Sequence, residues 1–139
     1  MIRTHHDADR LSKAAATHGL TPYTTAAAVL ASVEAVVIGA ETARHAGLVE
    51  QAAAAGKTIV VQKPLCLTLA EADRIVAAVR RAQVRCTVAW QMRADPENLM
   101  IAELVRSGVL GRIFMWRRRH GLATQLMANY ENLWHVDPA

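Results

Sequence analysis

Three short apolar runs, Val33 to Gly39, Thr58 to Gln62 and Arg85 to Trp90, are rich in β-branched residues and lack regular polar alternation. Runs of that kind predict strands buried on both faces, as in a parallel sheet. Between them the spacing changes. Residues 42–55 read as a helix, and residues 69–83 place Ala72, Ile75, Val76 and Val79 three and four apart, which predicts a helix with one apolar stripe. The punctuation agrees with this division. Gly56 follows the first helix at a position that favours a left-handed residue. Thr68-Leu69-Ala70-Glu71 reads as a capping box at the start of the second, with hydroxyl and carboxylate each meeting an orphan backbone donor. Strand, helix, strand, helix, strand predicts parallel βαβ units whose carboxyl ends lie together, and that edge is where open α/β sheets hold their ligands.

The flanks are weaker in signal. Asp7 can cap a helix over Ala8 to His18, with Leu11, Ala14, Ala15 and His18 at helical spacing and Gly19 closing it. Asp7 has no evident strand before it, which favours the cap reading. Pro22 keeps Thr21 extended, and Thr24 or Thr25 caps a short helix to Ala31. Pro96 opens a helix with Leu99, Ile101, Leu104 and Val105 on one side, ending at Gly108, and Ile113 to Arg119 reads as a further strand.

Composition narrows the class. The chain has 139 residues, 53% hydrophobic but only 4% aromatic. That suits helices packed closely on a parallel sheet, and one compact unit is the expectation. The net charge is +4. The arginines are dispersed over helix faces except at Arg117-Arg118-Arg119-His120, where a strand would send alternate side chains to opposite faces, so no nucleic-acid partner is expected. No apolar run is long enough to span a bilayer and the first residues lack a signal-peptide core, so no membrane partner and a cytoplasmic location are expected. Cys66 and Cys86 have no metal or redox spacing and are read as reduced, partly buried thiols, with no metal site.

The candidate chemistry gathers at the strand ends. Lys63, in Gln62-Lys63-Pro64, ends the second run, and Gln91-Met92-Arg93 ends the third, level with it if the strands are parallel. Read from the residues alone, Lys63 is either a site lysine or a solvated loop residue, and His45 is a helix-surface or core histidine.

At these residues the chain resembles the Gfo/Idh/MocA-type oxidoreductases, the family of glucose-fructose oxidoreductase and inositol dehydrogenase. Gln62-Lys63-Pro64 is similar to that family's Glu-Lys-Pro motif. The likeness extends through Glu34-Ala35-Val36-Val37-Ile38, His45, Ala53-Ala54-Ala55-Gly56-Lys57, Arg93, Pro96 and Gly108-Val109-Leu110-Gly111. It covers nearly the whole chain but only the middle of the family's pattern. The resemblance implies a truncated, doubly wound Rossmann-type α/β domain over residues 1–108. Residues 109–139 would begin a second, α+β domain for substrate and oligomerisation.

It also implies NAD or NADP as cofactor, a sugar, inositol or related polyol as substrate, and a possible homo-oligomer. Lys63 would be catalytic, polarising the substrate oxygen or orienting the nicotinamide. Cofactor contacts would come from Gly39, Ala40, Glu41, His45, Gln62, Lys63, Pro64, Gln91 and Arg93, and the Lys63–Pro64 bond would be a special turn, cis in the family's geometry. Asp7 would stand where an acidic residue binds the adenosine ribose. Three departures matter. Ala40-Glu41 replaces the usual Thr-Pro and puts a carboxylate where pyrophosphate passes; Gln62 replaces a glutamate; and neither Gly-x-Gly-x-x-Gly nor Asp-x-Gly-x-His occurs in these 139 residues. The expectation is therefore a fragment of such an enzyme, inactive alone, with a non-catalytic, partner-binding Rossmann-like remnant as the alternative.

Overall fold

The computed structural model describes residues 2–4, 8–119, 121 and 126. Its first strand, β1 (Ile2–Thr4), pairs in parallel with β2 (Thr21–Tyr23), and α1 (Ala8–His18) crosses between them. This corrects the reading of the amino terminus: a strand does precede Asp7, which itself lies outside the described residues. Three residues are too few to show periodicity, and only the pairing Ile2↔Thr21 to Thr4↔Tyr23 makes them a strand. Leu11 is the buried residue of α1, while His18 is exposed at its end. Gly19 closes the helix in the left-handed region at φ +60°.

Thr25, rather than Thr24, caps α2 (Ala26–Ser32), its hydroxyl accepting from the Ala28 amide at 3.2 Å. The three expected strands follow as β3 (Ala35–Ile38), β4 (Thr58–Gln62) and β5 (Cys86–Ala89). They form one parallel sheet in the order β3-β4-β5, as the apolar runs predict. β4 fills its apolar run, while β3 and β5 are shorter than theirs, because hydrogen-bonded pairing decides their ends and hydrophobicity does not. Val33, for instance, ends α2 as its C-cap.

The register assigns the side chains. Val36, Ile59 and Cys86 lie abreast on one face, as do Ile38, Val61 and Val88. Onto that face pack α3 (Thr42–Ala54) and α4 (Leu69–Ala82), and the core forms there from Ile38, Ala46, Val49, Ala52, Ala53, Ile59, Val61, Ile75 and Ala78. Small alanines on α3 let its backbone approach the sheet closely. The buried stripe of α4 runs through Ile75 and Ala78 with Val79 and Ala82 beside them, while Val76, expected inward, is 41% exposed. A stripe drawn through Val76 is rotated away from the α3 contact that decides the buried face. Arg74 ties the two helices at the surface, its Nε 3.0 Å from the Glu50 carboxylate. On the opposite face of the sheet Val37 is 79% exposed, and Ala35 and Thr87 are also exposed.

Gly56 ends α3 in a paired C-terminal motif. Its amide donates to the Ala53 carbonyl at 2.9 Å and the Lys57 amide to that of Ala52 at 3.0 Å, with φ of +70° at the glycine. That reversal delivers the chain directly into β4.

Residues 1–98 form one compact unit and residues 99–139 another. Across their boundary in sequence runs α5 (Pro96–Ser107), whose Leu99, Leu104 and Val105 are exposed. Residues 113–119, read as a strand from their apolar and basic pattern, carry no strand, which corrects that expectation. A strand exists only through a partner, and no described segment pairs with them. His120 and the tail from Trp134 to Pro138 lie outside the described residues.

Candidate cofactor-binding edge

The site is built from the carboxyl ends of the three parallel strands. The ladder pairs Ile38 with Val61 and Gln62 with Ala89, so the turns after β3, β4 and β5 emerge side by side. Gly39, Ala40 and Glu41 follow β3. Gln62, Lys63 and Pro64 follow β4 on the central strand. Gln91 and Arg93 stand in the 3₁₀ turn Gln91–Arg93 after β5.

The central turn is fixed by its own polar groups. The Lys63–Pro64 bond is cis, the geometry that the family likeness implies. The Gln62 side-chain oxygen accepts from the Lys63 amide at 3.0 Å, so the amide that replaces the family's glutamate closes the turn on itself. Lys63 is exposed. Just beyond, one Glu71 carboxylate oxygen accepts from the amides of Leu67 at 3.0 Å and Thr68 at 3.1 Å, and the Thr68 hydroxyl accepts from the Glu71 amide at 3.2 Å. This is the expected capping box, and it anchors the segment leaving Pro64 to the first turn of α4.

On the β3 side Glu41 is the N-cap residue of α3 without a side-chain cap bond, and its carboxylate lies 4.0 Å from the Arg44 guanidinium, both side chains being exposed. An exposed pair offsets part of a carboxylate's repulsion and leaves its place beside the helix start unchanged. On the β5 side the chain is held by residues the sequence reading passed over. Asp95 accepts from the Glu97 amide at 3.2 Å and from the Asn98 side-chain amide at 3.1 Å, and Asn98 also donates to the Met92 carbonyl at 2.8 Å. Asp immediately before Pro96 is itself a helix-start signal, and it was legible in the sequence.

His45 differs from the other candidates. It is 1% exposed, and its ring nitrogens lie 2.9 Å from two backbone carbonyls, Nδ1 facing Pro64 and Nε2 facing Ala40. Its polar atoms are engaged inside the protein, between the β3 and β4 turns. Neither Cys66 nor Cys86 forms a disulfide, and burial pushes the Cys86 thiol above its ordinary value. Among the described residues no cluster of His, Cys, Asp or Glu could hold a metal ion, and no helix is long and apolar enough to cross a membrane.

This edge fits one end of a dinucleotide and not its middle. Exposed amide, lysine and arginine side chains at three adjacent strand ends suit a nicotinamide and its ribose. A pyrophosphate is held by successive backbone N–H groups of a glycine-rich turn at a helix start, and the turn before α3 offers Glu41 instead.

Comparison with known proteins agrees with this geometry. Residues 4–90 match the model of the Gfo/Idh/MocA oxidoreductase family, described as having an NAD-binding Rossmann fold. Oxidoreductase P35 of Formosa agariphila is 32% identical over 135 residues, 94% of this chain and 42% of that protein. D-apiose dehydrogenase of Paraburkholderia graminis is 37% identical over 115 residues, 81% of this chain and 30% of that protein. The chain thus spans under half the length of these relatives. Among solved structures, the WlbA dehydrogenase of Bordetella pertussis, in complex with NADH and UDP-GlcNAcA, superposes with a TM-score of 0.78 at 25% identity, over 86% of this chain and 37% of that one. An NAD-binding oxidoreductase of Klebsiella pneumoniae gives 0.73 at 26%, over 79% and 30%. A parallel sheet whose strand ends carry the Lys63–Pro64 turn, matched by the family model over most of its length, places this chain in the Gfo/Idh/MocA oxidoreductase family.

Proposed function

We propose that this chain supplies the nicotinamide-side edge of an NAD(P)-dependent oxidoreductase acting on a sugar, inositol or related polyol. The observation that carries the reading is the exposed Lys63 at the carboxyl end of the central strand, flanked by the turns that bear Gly39 to Glu41 and Gln91 to Arg93. The named relatives lend it their chemistry: a D-apiose dehydrogenase, and a myo-inositol 2-dehydrogenase of Thermotoga maritima that is 32% identical over 81 residues. A bound nicotinamide would accept or donate hydride at the substrate's alcohol carbon. Lys63 would hold the substrate oxygen or orient the nicotinamide amide, and Gln62, Gln91 and Arg93 would fix the ribose and ring by hydrogen bonds. The 139 residues contain neither the glycine-rich turn nor the Asp-x-Gly-x-His histidine, whose proton transfer is typically worth about 10²- to 10⁴-fold. This chain by itself is therefore expected to bind NADH or NADPH no better than about 1 mM, roughly 4 kcal/mol, and to turn over no polyol.

The test is a titration of the isotope-labelled chain with NADH and NADPH, followed through backbone amide resonances. The expected result is weak, saturable shifts confined to residues 39–41, 62–65 and 91–93, reduced in Lys63→Ala. Shifts only along residues 117–119, vanishing with added salt, would show non-specific attraction of phosphate and refute the reading. A non-catalytic, partner-binding module is the second reading, and one observation favours it: β3 has β4 on one side and no described strand on the other. It predicts association through β3 and no cofactor shifts.

A further inference from the structure

The 3₁₀ turn Gln91–Arg93 carries two of the proposed cofactor contacts, and its carbonyls are met one after another. The Arg93 amide donates to the Trp90 carbonyl and the Ala94 amide to that of Gln91, both at 3.0 Å. The next carbonyl, that of Met92, cannot find a helical donor four residues on, because position 96 is a proline and has no N–H. The side chain of Asn98 takes it, with Nδ2 2.8 Å from the Met92 oxygen. The same nitrogen donates to Asp95 Oδ2 at 3.1 Å, while Asp95 Oδ1 accepts from the Glu97 amide at 3.2 Å. Exchanging the oxygen and nitrogen of Asn98 would set its oxygen against two acceptors, so the partners fix it as the donor. Asn98 is half-buried, whereas Gln91 and Arg93 are exposed. The β3 and β4 turns have a separate brace in His45, whose ring nitrogens lie 2.9 Å from the Ala40 and Pro64 carbonyls.

We propose that Asn98 is a positioning residue for the β5 side of the candidate cofactor edge. Holding the Met92 carbonyl fixes the plane of the Met92–Arg93 peptide, and with it the direction in which the Arg93 side chain leaves the backbone. Without that clamp the turn keeps only its two short-range bonds, whose 3₁₀ geometry is poorer than that of an α-helix, and an exposed turn so held opens readily. A ligand reaching Arg93 or Gln91 would then have to order the turn as it binds, which weakens binding. That these two residues meet a nicotinamide and its ribose rests on the proposed function; the clamp itself does not. Because His45 braces the other two turns, loss of Asn98 should disturb residues 91–93 and leave residues 39–41 and 62–65 as they are.

The experiment combines amide hydrogen exchange with NADH titration of the ¹⁵N-labelled chain, in the parent and in Asn98→Ala and Asn98→Asp. In Asn98→Ala the Arg93 and Ala94 amides, which close the turn, should exchange about fivefold faster, the worth of one hydrogen bond, while the Ile59 amide in the β4–β5 ladder keeps its rate. Asn98→Asp has nearly the same shape but turns an acceptor toward two acceptors, so it should exchange at least as fast. NADH-induced shifts at residues 91–93 should shrink in both variants, and those at residues 39–41 and 62–65 should persist. Unchanged exchange in both variants, or an equal rise at Ile59, overturns the proposal, as do NADH shifts at residues 91–93 that match the parent's. If neither variant folds, the through-hydrogen-bond coupling from Asn98 Nδ2 to the Met92 carbonyl carbon decides: it should be present in the parent chain, and its absence refutes the clamp. If exchange behaves as expected but NADH shifts nothing in the parent chain, the clamp stands and the cofactor reading falls.

Discussion

Which face of the β3-β4-β5 sheet carries the stability of the site can be decided with two substitutions on neighbouring strands. Ile59 on β4 is 1% exposed, against α3 and α4, while Val37 on β3 is 79% exposed on the other face. Ile59→Ala removes three carbon groups, a loss of about 2.4 kcal/mol at roughly 0.8 kcal/mol each. The neighbours cannot close the space easily, since Val61 and Val49 are fully buried around it. An unrelaxed cavity raises the cost to about 4 kcal/mol, within the usual range of roughly 2–5 kcal/mol for such truncations. Val37→Ala removes groups already in water and should cost under about 1 kcal/mol, mostly from lower strand propensity. Urea unfolding followed by circular dichroism measures both. With a typical slope of about 1.5 kcal/mol per molar, Ile59→Ala should lower the midpoint by about 2.7 M and Val37→Ala by well under 1 M. Equal losses would mean that Val37 is covered in solution, and would refute the assignment of a single packed face.

The capping box gives a second outcome. Glu71→Ala strands the Leu67 and Thr68 amides and should cost about 1–2 kcal/mol by thermal or denaturant unfolding, with Glu71→Gln recovering most of it; an unchanged midpoint would show that the box does not hold the segment after Pro64. Burial raises the Cys86 thiol above its ordinary value, so less of the reactive thiolate is present at a given pH. Iodoacetamide should therefore label Cys86 more slowly in the folded than in the denatured chain at the same pH; equal rates in the two states would contradict it.

The sequence by itself determined the elements that rest on local chemistry. Gly56, Thr68 with Glu71, Thr25 and Pro96 mark helix ends through bonds a few residues long, and such bonds do not depend on what packs nearby. The runs of β4 and β5 were legible as short β-branched stretches, but the burial on both faces that such runs predict is not found, since Val37, Ala35 and Thr87 stand exposed on the face away from α3 and α4. Lys63 and its neighbours were legible as a strand-end cluster, and the family likeness gave them a role. Tertiary structure decided what depends on partners distant in the chain. Ile2 to Thr4 become a strand through Thr21 to Tyr23, and residues 113–119, with the same kind of pattern, do not, for want of a described neighbour. Val76 and Ile75 are adjacent and similarly apolar, yet α3 covers one and leaves the other in water. His45 shows the difference most clearly: its spacing allowed a surface, core or cofactor role, and only the fold brought the Ala40 and Pro64 carbonyls to its two nitrogens. Long-range pairing of that kind is set by how strands and helices close on one another, which no local window of residues contains.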